Sequence, residues 1–170
     1  MIGRNIARLT LCLLVVGILS LLLWAGSRHN AKLSRIRHFP QIKAITIYGE
    51  FFDSSTCLDT TMRTALLFFH PECEYCQIEL DGILAQHSDC RNVQWIFISL
   101  APAEVIEEYL SETPLELIPN AYIVREDWPD TYELFGVKGP PALFIYDETG
   151  NLMKRYMGAT SVKTIVQELQ

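Results

Sequence analysis

The chain predicts an α/β fold: a mixed β-sheet flanked by helices on both faces, preceded by one N-terminal transmembrane helix. Three observations lead there. Two continuous apolar runs, residues 64–69 (TALLFF) and 93–100 (VQWIFISL), have the length and composition of strands buried on both faces. Each is followed by a segment of helical character, so the order strand, helix, strand, helix suggests parallel βαβ units. A hairpin signal and a last helix close the chain, which adds antiparallel strands to the same sheet.

The elements follow in order. Residues 44–48 (AITIY) read as a short strand, and residues 50–62 as a polar, turn-rich stretch. The strand at 64–69 ends at Pro71, and residues 74–86 form a helix whose apolar side is Ile78, Leu80, Ile83 and Leu84, weakened midway by Gly82. The strand at 93–100 leads into a helix at 102–111 with Pro102 near its first turn, where proline is tolerated. A short strand at 121–124 and a short helix at 130–135 come next. Residues 142–146 and 152–157 pair across an Asp-Glu-Thr-Gly turn, and residues 161–169 form the closing helix, capped by Ser161 or Thr160.

Composition fits one domain with a short appendage. The chain has 170 residues, 49% hydrophobic and 20% charged, with no internal repeat or low-complexity run. A net charge of −6 and a pI near 5.2 argue against nucleic acid as a partner, because phosphate binding requires a basic face.

The charge is unevenly spread. Up to His38 the only charged side chains are Arg4, Arg8, Arg28, Lys32, Arg35 and Arg37. Residues 9–25 carry no charge and are rich in leucine, at the short end of the length that spans a bilayer. Apolar character on every face, with basic residues at both ends, argues against a buried core helix. Two readings remain: an uncleaved anchor, or a signal peptide ending at the small residues Ala25-Gly26-Ser27. No cysteine follows those residues, so a lipid-modified cysteine is not indicated. Basic residues on both sides leave topology unsettled by charge counting. A short N-terminus, one apolar segment and a long domain is nonetheless how exported domains begin. The expected division is a membrane anchor or signal segment over 1–27, a basic juxtamembrane linker over 28–41 and one domain over 42–170 outside the cytoplasm.

Residues 68–76 (FFHPECEYC) carry the chemistry. Cys73 and Cys76 form a C-x-x-C pair where a buried strand hands over to a helix. The first cysteine falls near the helix N-terminus, where unpaired N–H groups and the helix dipole favour a thiolate, the attacking species in disulfide exchange. The second sits one turn on, within reach to resolve a mixed disulfide. A C-x-x-C alone is a weak signal; one that opens a helix after a strand in a βαβ pattern is a good one. Zinc binding would need a second C-x-x-C or H-x-x-x-H, and covalent haem attachment a histidine at position 77, which is Gln77. No metal and no cofactor is expected. A purely structural bridge is the remaining reading of the pair. Thr or Ser three residues before the nucleophile, as a peroxiredoxin-type peroxidase requires, is replaced by His70.

Residues 136–142 (GVKGPPA) stand just before the strand at 142–146. With this segment the chain resembles the thioredoxin-like superfamily, over about residues 42–170, and most closely its membrane-anchored TlpA/ResA-like thiol–disulfide oxidoreductases. The resemblance implies a thioredoxin-like mixed sheet in which Pro141 is cis and, with Pro140 before it, faces the cysteine pair; Pro-Pro is also a place where a cis bond is cheap. Cys73-Glu-Tyr-Cys76-Gln-Ile-Glu79 fits the family's C-x-x-C-x-x-E spacing and implies that Glu79 moves protons for the pair; an exposed helix residue is the competing reading of Glu79. Tyr75 and Glu74, between the cysteines, are the expected partner contacts with Pro140 and Pro141. The chain departs from the family where His70-Pro71-Glu72 replaces the usual Trp before the first cysteine. It departs again where Asp81 stands in place of a helix-kinking Pro, and where Pro140 stands in place of Thr or Ile.

The resemblance implies reaction with protein thiols and disulfides; a reductant outside the cytoplasm would then need electrons from an upstream membrane thiol donor, which nothing in the sequence names. Glu72 and Glu74 flank Cys73, and like charge disfavours its thiolate, which makes a reductant the expected direction, offset if His70 is protonated. An anchored, non-catalytic binding module with a structural or sensory C-x-x-C is the competing function. Cys57 and Cys90 are read as buried small apolar groups or as a structural bridge, and Cys12 as part of the apolar segment. His29 and His87 are surface residues, Trp95 core, and Trp128 surface or lid.

Overall fold

The computed structural model describes residues 13–24, 33–86, 88, 92–126 and 130–169. The chain divides into two units, Met1–Arg35 and Ile36–Gln170. In the first, residues 13–24 are helical and exposed. No helix among the described residues is long and apolar enough to cross a membrane. The apolar segment at 9–25 runs past the described residues at both ends, so the expected spanning helix is not among the described elements. Cys12, the Ala25–Ser27 junction, His29, His87, Cys90 and Trp128 also lie outside the described residues.

The second unit is built on a seven-stranded sheet: β1 (Lys43–Thr46), β2 (Phe51–Asp53), β3 (Arg63–Phe68), β4 (Val93–Ser99), β5 (Ala121–Arg125), β6 (Ala142–Tyr146) and β7 (Leu152–Met157). Their spatial order is β2-β1-β5-β4-β3-β6-β7. The centre is parallel, with β3 paired to β4 from Arg63↔Val93 to Phe68↔Ile98 and β4 to β5 from Trp95↔Ala121 to Ser99↔Arg125. Antiparallel additions lie on both sides: β6 and β7 beside β3, and the β1–β2 hairpin beside β5. The helices are α1 (Ser54–Cys57), α2 (Glu74–Ala85), α3 (Ala103–Glu112), α4 (Asp130–Phe135) and α5 (Val162–Leu169), with a 3-10 turn at Leu115–Leu117.

Side-chain alternation along the central strands separates two cores. Leu67 and Phe69, Trp95 and Phe97, and Leu143 and Ile145 face Leu80 of α2, Ile106 of α3 and Ile165 of α5. On the opposite side Phe68 meets Tyr132 and Phe135 of α4 and Phe144 of β6, with ring centroids 4.7–5.8 Å apart. The sheet is therefore covered on both faces, which is why its central strands are apolar without alternation.

Three expectations need correction. The stretch at 50–62 is not all turn: it contains β2 and α1. The chain reverses at Gly49, at φ +80, and Phe51–Asp53 pairs back onto β1 with Phe52 buried; three residues are too few to display a strand period. Ile78 does not join the apolar side of α2. It is 61% exposed, while Cys76, Glu79, Leu80 and Ile83 are buried. Those four recur at one helical period, and Ile78 sits on the opposite side of the cylinder. Pro102 precedes α3 as its N-cap instead of lying within it.

Two positions explain how the helices close on the sheet. A Cβ on Gly82 would overlap Val162 Cγ2, so the glycine that costs α2 helix propensity lets α5 approach it. Ser161 caps α5, its Oγ accepting from the Thr164 amide at 3.2 Å.

Candidate active site

The site is assembled at the carboxyl end of β3. Phe69 stays within the core and its amide donates to Ile98 O at 2.9 Å. Pro71, with no N–H to offer, then ends the ladder. The turn closes through the Cys73 amide donating to His70 O at 3.0 Å, and α2 begins with the Gln77 amide donating to Cys73 O at 3.0 Å. Cys73 is the N-cap residue of α2, in extended conformation, with no side-chain capping bond. Its sulfur is therefore not committed to the helix. The Gln77 side chain braces the turn by donating to Pro71 O at 2.6 Å. His70 Nδ1 accepts from the Glu72 amide at 3.2 Å, an arrangement in which that nitrogen carries no proton.

Cys73 is half-buried and Cys76 buried, and both are free thiols. The Cys73 sulfur lies 3.9 Å from Pro140 O. The Pro140–Pro141 peptide bond is cis, and the loop is tied to the end of β7 by the Gly158 amide donating to Pro141 O at 3.0 Å. Burial pushes the pKa of the Cys76 thiol up to about 12. A hydrogen bond from the His70 backbone opposes this, while hydrogen bonding to Cys73 and the charges of Cys73 and Glu79 add to it.

Glu79 is only 2% exposed, one helical turn beyond Cys76 on the inner side of α2. The reading of Glu79 as an exposed helix residue is thereby excluded. Its Oε2 accepts from the Thr160 amide at 3.3 Å, and Oε1 has no hydrogen-bond partner among the described residues. Burial raises its pKa to about 7, with the Thr160 amide pulling the other way. The result is a carboxyl that titrates near neutrality beside a buried thiol.

The sequence-derived site residues thus fall in one region. Cys73 meets Cys76 and the Pro140 carbonyl, and Glu79 exerts its field on Cys76. Glu74 and Tyr75 flank Cys73 on the outer surface and are exposed, Tyr75 by 65%. Sequence reasoning missed the Thr160 amide, which comes from a backbone position 81 residues away and carries no side-chain signal. It also missed two tyrosines, half-buried Tyr109 and buried Tyr132, whose hydroxyls feel the charge of Cys76. Burial raises Tyr109 to about 12 and Tyr132 in the same direction. The Tyr132 hydroxyl points to Phe69 O and Ile98 O, each at 3.4 Å, at the base of the active-site turn.

Two cavities of the second unit lie away from the cysteines. One of about 320 Å³ is lined by β1 with Arg125, Glu126, Asp130, Thr131 and Leu134, and another of about 290 Å³ by residues near Leu58 and Glu148. Exchange on a protein surface needs an accessible sulfur, not a cavity. Among the described residues no group of three or more His, Cys, Asp or Glu side chains could hold a metal ion.

A thiol at a helix N-cap, its partner one turn inside and a cis-proline loop opposite, on a mixed sheet covered by helices, define a thioredoxin-like fold. Solved structures agree. MTB dsbF superposes with a TM-score of 0.67 at 19% identity, over 79% of this chain and 94% of its own. A secreted Mycobacterium tuberculosis disulfide oxidoreductase homologous to E. coli DsbE gives 0.66 at 18% identity, over 80% and 96%. A peroxiredoxin-like protein from Aquifex aeolicus gives 0.64 at 13% identity, over 78% and 83%. No protein family and no curated protein matches the chain. At these identities the likeness is one of fold, and a fold does not by itself fix a function.

Proposed function

We propose that the protein is an extracytoplasmic thiol–disulfide oxidoreductase that reduces partner disulfides through Cys73 and Cys76. The observation that carries this reading is the half-exposed Cys73 sulfur, 3.9 Å from Pro140 O, with a buried thiol beside it. His70 stands three residues before Cys73, where peroxidase chemistry needs Thr or Ser, so exchange is preferred.

In the proposed cycle the Cys73 thiolate attacks one sulfur of the partner's disulfide. That S–S bond breaks, the other partner sulfur leaves as a thiolate and takes up a proton, and a mixed disulfide forms. Cys76 then attacks the Cys73 sulfur. The mixed disulfide breaks, the partner leaves as a dithiol, and Cys73 and Cys76 become a disulfide. Two electrons and two protons have passed to the partner. A thiol held near 12 supplies roughly 10⁻⁵ of its thiolate at neutral pH, so the second step needs a base. Glu79 is assigned that role: near 7 it is partly carboxylate, takes the Cys76 proton, and returns it when an upstream membrane thiol donor reduces the bridge. Glu74, Tyr75, Pro140 and Pro141 are assigned to contact the partner. Residues 1–27 are assigned as the anchor, 28–41 as a basic linker and 42–170 as the exported domain.

Equilibrating the full-length protein with glutathione or dithiothreitol buffers, and reading its thiol state by mass, tests the proposal. A reversible two-electron couple near about −270 mV supports a reductant, and one near about −120 mV overturns the direction. A bridge that stays oxidised until the protein is denatured overturns exchange and puts an anchored binding module in its place.

A further inference from the structure

Charge is segregated along the folded unit in a way that net charge conceals. Between Thr64 and Val124 the chain carries ten Asp and Glu residues and one basic residue, Arg91. Neither α2 nor α3 contains a lysine or an arginine. The end of α3 reaches α2: Thr113, which follows α3, donates to Asp81 of α2 at 3.5 Å, and Tyr109 of α3 packs on Phe69, just ahead of the active-site turn, with ring centroids 6.3 Å apart. Their solvent side exposes Glu74, Asp81, Glu104, Glu107, Glu108 and Glu112. Glu74, the first of these carboxylates, directly follows Cys73.

An unpartnered apolar strip runs through it. Tyr75 and Ile78, three residues apart on α2, share its outer face and are 65% and 61% exposed. Met157, 51% exposed, precedes the glycine that bonds the Pro141 carbonyl, so apolar surface also borders the cis-proline loop. Exposed apolar residues rimmed by charge mark a docking surface. On the side of α2 and α3 the rim is acidic, with exposed Lys138 on the cis-proline loop as its basic counterpart; the carboxylates of the helices would repel a partner with acidic residues around its disulfide and draw in a basic one.

From this we infer that the α2 face around Cys73 docks proteins whose reactive disulfide is flanked by lysine or arginine. The inference rests on the exchange reading above and names its substrate class. Tyr75 and Ile78 cover the apolar part of the partner. The carboxylates of α2 and α3 raise its encounter rate through their summed field, which acts over about 10 Å at ordinary ionic strength and about 3 Å at 1 M salt.

The test uses the full-length reduced protein and three short disulfide-linked peptides of equal length, flanked by Lys, Ser or Glu. Second-order rates are measured at low salt and at about 1 M salt. The Lys peptide should react about tenfold or more faster than the Glu peptide at low salt, with Ser between, and the difference should collapse at high salt. In the E104K/E107K/E108K variant the Lys-to-Glu rate ratio should fall by about tenfold or reverse. Equal rates for the three peptides, a faster Glu peptide, or a preference indifferent to salt and to the charge reversals overturns the inference while leaving exchange intact. Failure of all three peptides, with no reversible Cys73–Cys76 couple, overturns the exchange reading itself.

Discussion

Replacing Glu79 by Gln separates the energetics of the buried carboxyl from those of its neighbours. Its folded pKa of about 7 lies above the ordinary 4.5. The native state then binds more protons than the unfolded chain between those two values, and stability must fall as pH rises through that window. The contribution is fully present below 4.5 and lost by the time pH passes about 7. At 1.36 kcal/mol per pH unit the loss is roughly 3 kcal/mol. The glutamine side chain of E79Q cannot ionise, and its amide oxygen can still accept from the Thr160 backbone. Glu126, also raised by burial, and Asp53, lowered to about 2 by hydrogen bonds from Ser55 and Gln41, are common to both proteins and cancel in the difference. Urea unfolding of the reduced proteins from pH 4.5 to 8.5, followed by fluorescence of buried Trp95, should give wild-type and E79Q midpoints that diverge by roughly 1–2 M. The wild type should weaken progressively and the variant should not. Parallel curves would mean that the carboxyl is already ionised in the folded protein and would remove the basis for its role as a base. A second readout isolates that role: at neutral pH the variant should resolve mixed disulfides about 10²-fold or more slowly, with less loss in the first attack.

Other consequences follow from the same geometry. In the reduced protein at pH 8, iodoacetamide should label Cys73 and spare Cys76, held near 12 by burial, until denaturant is added; peptide mass mapping reads this directly. Cys76→Ser should accumulate a mixed disulfide through Cys73 on mixing with a disulfide peptide, whereas Cys73→Ser should trap none, as non-reducing gels and intact mass would record. Gly82→Ala should destabilise by about 1–3 kcal/mol despite the better helix propensity of alanine, because its Cβ would overlap Val162 Cγ2. Adding Val162→Ala should recover part of that loss in a double-mutant cycle; independent, additive effects would show that the contact is not the cause. Phe68→Ala, in the aromatic core under α4, should cost about 3–5 kcal/mol in chemical denaturation.

Much of the frame was legible from local pattern. The apolar runs at β3 and β4, the hairpin β6–β7 and the closing helix each announce themselves within a few residues, because burial on both sheet faces demands unbroken apolar strands and a two-strand turn demands Gly150. The cysteine spacing, its place after a strand and the Gly-x-Pro-Pro segment likewise lie within single short stretches. Elements too short to show a period were not legible: β2 has three residues, α1 has four, and both merge with the turns around them.

The orientation of α2 shows where local reading stops. Its apolar residues Ile78, Leu80, Ile83 and Leu84 do not lie on a single stripe, and composition cannot say which of Ile78 and Glu79 turns inward. Packing against the sheet and α5 buries Cys76, Glu79, Leu80 and Ile83 and leaves Ile78 in solvent. The sequence by itself determined that a C-x-x-C opens a helix after a buried strand and that a Pro-Pro segment precedes a later one. Only the tertiary structure placed the Pro140 carbonyl beside Cys73, set a backbone amide from Thr160 against Glu79 and withdrew that carboxyl from water. Those contacts join residues 67 and 81 positions apart, and desolvation is a property of everything packed around a group, so neither is written in any local run of residues.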